Sequence, residues 1–233
     1  MNTNAPLDHL SQRPGICSHA LLDANAPDHI ATGFTGLDRL LPGGGWPLGG
    51  LTELYHAQSG IGELRLLMPA LARLSRQGRW IALIAPPFVP SAAALASFGL
   101  DLSRVLLVHP KSQRDGLGAL ERGLRSGTCG AVLAWPKQID QQALERLQQA
   151  AAVGRSWGVL FRDLACQAQS SPAALRLRLR LEACNGDTAI HLLQHCDGGT
   201  ELILDLSRPT SHAPEPMVYT TPPPYPRSRP QPY

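Results

Sequence analysis

The chain has 233 residues, 43% of them hydrophobic, enough for one sizeable α/β domain with a real core plus tails. Net charge is only +3 and aromatics make up 5%, so neither a strongly basic nucleic-acid surface nor a rich base-stacking platform is called for. The five cysteines (Cys17, Cys129, Cys166, Cys184, Cys196) form no CxxC pair, no signal peptide is visible, and no apolar run approaches the ~18 residues of a membrane span, so a reduced, cytoplasmic protein is expected.

Residues 1–30 read as a flexible, polar N-terminal arm with Pro6, Pro14 and Pro27. A short helix is expected over 31–41 with Thr35 as its N-cap, and PGGGWPLGG follows as a turn region. Leu51 to Tyr55 is a short apolar strand. The helix that follows, from Glu63 to Gln77, carries Leu64, Leu67, Met68, Leu71 and Leu74 on one stripe, with Pro69 on the opposite face as the expected kink. Strands are expected at 80–85, 104–108, 131–135 and 157–161, and helices at 91–98, 114–125 and 141–153. Apolar strands alternating with helices imply a mainly parallel central sheet flanked by helices on both faces. After Ser170 the pattern changes. LRLRLRL over 175–181 alternates strictly, and further strands at 188–195 and 201–206 suggest an antiparallel late addition. From 208 to 233 the chain is Pro-rich and reads as a disordered or polyproline II tail. The organisation is thus an arm over 1–30, an α/β domain over 31–207 and a tail over 208–233.

The turn Gln58-Ser59-Gly60-Ile61-Gly62, set between a strand and a helix, has the setting of a phosphate-binding P-loop without its chemistry. A working loop ends GK[ST], where Lys reaches the β/γ oxygens and Ser/Thr holds magnesium. Here the triplet is Gly62-Glu63-Leu64. A carboxylate in place of the ammonium turns an attraction of about 4 kcal/mol at ~4 Å into a repulsion of that order. Ser59 to Leu64 is therefore read as a degenerate phosphate loop with no cofactor, no metal and no catalytic residue, in a protein that is not an enzyme.

Other chemistry is weaker. His191 and His195 lie roughly 13 Å apart along one strand and cannot chelate one ion. Ser59 lacks the first glycine of a nucleophile elbow, since Ala57 stands there. Arg176, Arg178 and Arg180 form either a phosphate-contacting ladder or the solvated face of an edge strand, and direct DNA contact stays open. Arg227 and Arg229 in the tail are the other candidate partner-surface cations. The only lysines are Lys111 and Lys137.

The succession GGGWPLGGLTELY, a small-residue loop, and GELRLLMPALARLSRQGRWIALIAPP resembles a RecA-like core, as do ASFGLDLSRVLLVHP, LRSGTCGAVLAW and LRLRLRLEACNGDTAIHLLQH. On TGFTGLDRLLPGGGWPLGGLTEL, SGIGELRLLMPALARL and SSPAALRLRLRLEA, over roughly 30–206, the chain more narrowly resembles the ImuA family of damage-induced mutagenesis cassettes. The resemblance implies a RecA-like fold in which Trp135 stands at the lost metal-Asp position and Pro86-Pro87 at the place of the catalytic carboxylate. It implies a non-enzymatic, SOS-linked role in translesion DNA synthesis after DNA damage, near the nucleoid. The partners it implies are an ImuB-like Y-family polymerase paralogue, an error-prone replicative-type polymerase and RecA. From about Leu66 to Arg162 the chain is also similar to SulA, the damage-induced cell-division block that binds FtsZ, and LRSG…VLAW suits that family. This is the alternative reading.

Overall fold

The computed structural model describes residues 29–57, 63–181, 188–192, 201–204 and 206. In chain order the elements are β1 (His29–Ile30), α1 (Thr35–Leu40), β2 (Trp46–Pro47), β3 (Leu51–His56), α2 (Glu63–Arg76), β4 (Trp80–Ile84), α3 (Ala92–Ser97), β5 (Val105–Val108), α4 (Gln113–Arg125), β6 (Cys129–Ala134), α5 (Gln141–Gly154), β7 (Trp157–Asp163), β8 (Leu175–Leu181), β9 (Thr188–Leu192) and β10 (Glu201–Leu204). Of the expected arm over 1–30, residues 1–28 lie outside the described residues while His29 and Ile30 form β1; the expected tail over 208–233, with Arg227 and Arg229, also lies outside them, as do the turn 58–62 and His195 and Cys196.

An eight-stranded sheet runs β10-β9-β8-β3-β7-β6-β4-β5. β8, β3, β7, β6, β4 and β5 are mutually parallel, and β9 and β10 are antiparallel additions at one edge. The central strands β3 and β6 are buried at all six positions, because helices cover both faces. On one face α1, α2 and α3 pack over Leu54, Leu83, Leu133 and Phe161. On the other, α4 and α5 pack over Leu51, Ala82, Val132 and Leu160. Leu66, Leu67, Leu71 and Leu74 of α2 are at most 2% exposed, each contributing about 1.5–3 kcal/mol by burial.

Side-chain caps begin three of the helices. Ser91, Ser112 and Asp140 cap α3, α4 and α5 by accepting from Ala94, Asp115 and Ala143 amides, each cap being worth about 1 kcal/mol. The first helix differs from expectation. Phe34, not Thr35, is its N-cap, and the chain enters through Thr32, whose amide donates to Asp38 Oδ1 (2.7 Å) and whose hydroxyl accepts from the Phe34 amide (3.0 Å). Gly33 at φ +91° is required there, since a Cβ would meet the Pro69 ring at 2.4 Å. Gly154 ends α5 where a Cβ would stand 1.9 Å from the Leu124 carbonyl of α4. The glycine therefore sets how closely the two helices approach.

The expected RecA-like core with a degenerate P-loop is corrected. The signal for it was a run of small residues between apolar segments, which any parallel strand–turn–helix unit contains. Residues 58–62 lie outside the described residues, and Glu63 opens α2 as a buried side chain, 6% exposed. What stands is an α/β domain on a mainly parallel sheet.

Candidate functional site

Two clusters invert the usual distribution of polar and apolar side chains, and they lie in different parts of the sheet. The first is a charged network inside it. Glu53 of β3 is fully buried and faces the β8 register partner Arg176. Arg162 of β7 donates from Nη1 to Glu53 Oε1 at 2.6 Å, and the Tyr55 hydroxyl donates to Oε2 at 2.8 Å. Arg176 Nε donates to the same Oε2 at 3.2 Å, and its Nη2 donates to Tyr55 Oη (2.7 Å) and to the carbonyls of Gln167 (2.7 Å) and Gln169 (3.0 Å). Arg162 Nη2 also reaches Gln169 Oε1.

Burial pulls the Arg162 guanidinium down, but the hydrogen bond and charge of Glu53 outweigh it and hold Arg162 above its ordinary range. Burial pushes the Tyr55 phenol up, against the hydrogen bond from Arg176, and the nearby Glu53 charge adds to the rise. Both oxygens of Glu53 are engaged. The network therefore clamps β3, β7 and β8 to the turn over 164–169, and offers no open position for a ligand.

The second cluster is apolar and faces solvent. Among the described residues, all the exposed large hydrophobic side chains except Val153 fall between Trp80 and Leu106: Trp80, Phe88, Val89, Phe98, Leu102 and Leu106. Phe88 and Val89 are 73% and 70% exposed, on the segment joining β4 to α3. β5, with the sequence VLLV, is a sheet edge with no proline or charge inside it. Natural edges are normally blunted by such residues, so a bare apolar edge marks a place for contact. Leu106 projects to the α4 face and Phe98 lies on the α3 side, so apolar surface wraps the edge. Cations frame it. Arg104 stands over the Trp80 ring at 5.5 Å and Arg65 over Phe98 at 5.9 Å. Exposed aromatic and aliphatic side chains beside arginines are the composition of a protein-docking surface.

The sequence-derived candidates are scattered. Ser59, Gly60, Ile61 and Gly62 are not described; Glu63 is buried and Leu64 packs on the α2-side core. Trp135 follows β6 and stacks on Phe161 at 4.4 Å. Of the arginine stripe, Arg176 is turned into the network, only 14% exposed, and so is not an open cation. Arg178 is partly buried. Arg180 and His191 are placed on β8 and β9 by backbone alone. Sequence reasoning missed both clusters. The available signals were a Glu and an Arg inside otherwise apolar strands (LTELY, VLFRD), and PPFV standing as an apolar stretch in a turn.

Among the described residues no helix is long and apolar enough to cross a membrane. Residues 49–158 match the family described as "Cell division inhibitor SulA". The chain is similar to the cell division inhibitors SulA of Yersinia enterocolitica and Yersinia pestis, each 28% identical over 114 residues, covering 49% of this chain and 68% of the relative. It is 30% identical to SulA of Pseudomonas aeruginosa in a crystal structure, covering 48% of this chain and 97% of that one, with a TM-score of 0.41. The match falls on the second of the two resemblances the sequence suggested, and it replaces the RecA-like assignment. Residues 49–158 of this chain form a SulA-family domain.

Proposed function

We propose that this protein is a damage-induced inhibitor of cell division that acts without catalysis, by docking on a protein partner through the face between Trp80 and Leu106. The partner class follows from the kinship: FtsZ, the division GTPase that SulA blocks. One observation carries the reading. Apart from Val153, the exposed large apolar side chains of the described residues fall on β4, β5 and the segments joining them, and these lie wholly inside the residues that match the SulA family. An inhibitor of this kind needs a surface, not an active site, and the polar side chains grouped in the interior are already satisfied by one another.

The test is binding of purified chain to FtsZ, with RecA and the polymerase subunits as parallel baits, followed by FtsZ polymerisation measured by light scattering. Saturable FtsZ binding that suppresses polymerisation supports the proposal. Binding to an ImuB-like polymerase or RecA, with none to FtsZ, would return the chain to translesion synthesis.

A further inference from the structure

A second feature lies at the carboxyl ends of β4 and β6, beside the start of α4. A cavity of about 370 Å³ opens there. Its inner wall is apolar, from Ile84, Leu117, Leu120 and Ala134. Its rim carries Lys111 and Lys137. These are the only lysines among 21 basic residues, and both line the same cavity. Neither takes part in an ion pair or hydrogen bond among the described residues. The nearest acidic group on α4, Asp115, does not line the cavity and is held by the Ser112 hydroxyl at 2.7 Å.

Two further observations bear on the cavity. Ala85 lines it with φ +50°, a left-handed conformation that is uncommon for alanine and is found disproportionately at ligand sites. The thirteen-residue α4 also starts at the cavity, with Gln113 and Gly116 on its wall, and a helix start favours negative charge.

We propose that this cavity binds a small carboxylate carrying an apolar body. The lysines supply compact point charges for one carboxylate, where arginine would favour a bidentate, planar contact. The apolar wall takes the body. The volume lies at the low end of the roughly 300–1,000 Å³ typical of ligand pockets, so it has room for a guest the size of a phenylpropionate. The same chemistry is presented by a free organic acid and by the apolar C-terminal residue of a protein chain.

The experiment is titration of the full, ¹⁵N-labelled chain with 3-phenylpropionate, read by the backbone amides of 113–116 and of Lys137. Saturable shifts confined to these groups are expected. The uncharged 3-phenylpropanamide should bind at least about tenfold more weakly, as should the Lys111→Gln/Lys137→Gln double variant, whose Tm should be unchanged because both side chains are exposed. N-acetyl-leucine binding more tightly than phenylpropionate identifies the chain-end form; the reverse order identifies the free acid. No saturation by about 10 mM of either acid, equal binding of the amide, or an unweakened double variant would overturn the proposal.

Discussion

The β3–β7–β8 side of the sheet and the β4–β5 side treat polarity in opposite ways. On the first, one carboxylate and two guanidinium groups are sunk among the strands and saturate each other through Tyr55 and the carbonyls of Gln167 and Gln169. On the second, Phe88, Val89, Phe98, Leu102 and Leu106 are left in water on β5 and the segments that join it to β4. The difference teaches where each region's free energy goes. A buried charge cluster is tolerated only when every member is paired, so it makes the fold intolerant of change there and has nothing left over for a ligand. An exposed apolar edge contributes nothing to the isolated fold. It becomes favourable only when a partner removes it from water.

Substitutions can break this contrast in order of expected size. Glu53→Ala strands Arg162, 2% exposed, without its counter-charge; a loss of about 3–5 kcal/mol is expected in urea unfolding, with binding to a partner altered only through the folded fraction. A loss below about 1 kcal/mol would show that the network is ornamental.

On the other side, Phe88→Ala combined with Leu106→Ser should leave urea stability within about 0.5 kcal/mol. The same pair should weaken FtsZ binding by about thirtyfold or more, as hot-spot truncations do. Equal affinity would remove the edge from the docking surface.

A smaller effect distinguishes the network by pH. Because the folded Tyr55 phenol is raised above its ordinary value, the folded chain holds that proton more tightly than the unfolded one. Stability from this group is present below about pH 10 and is lost as pH rises through the folded value. Tyr55→Phe should flatten that alkaline limb of the stability curve; an unchanged limb would show that Tyr55 does not report the network.

The smallest change should come from Arg104→Gln, which removes the cation over Trp80. About 0.5–1 kcal/mol of partner affinity and a shallower salt dependence of the association rate are expected, with Tm unmoved.

Much of the architecture was legible from residue spacing. The leucine stripe of α2, the apolar runs of β4 and β6, and the alternation in β8 each name an element and its buried face, because periodicity is a local property of the chain. The two-residue strands β1 and β2 were not legible, since so short a pairing leaves no period to read. The candidate sites were less legible still. The Gly-rich turn attracted a nucleotide reading because small residues report only that the backbone turns, while the chemistry of a site depends on side chains that the turn does not specify.

The sequence by itself determined that strands and helices alternate, that the late strands differ in kind, and that Arg176 and Arg178 share one face of β8. Only the tertiary structure decided what that face meets. β8 pairs in parallel with β3 so that Glu53 and Arg176 are register partners, 123 residues apart in the chain. A stripe that alternation alone reads as solvated is thereby turned partly inward at its first arginine. The same assembly placed β5 at the end of the sheet and left Leu106 uncovered. The physical reason is common to both. Local pattern fixes which side chains point the same way, whereas burial, charge pairing and exposure depend on which distant segment, if any, arrives opposite them.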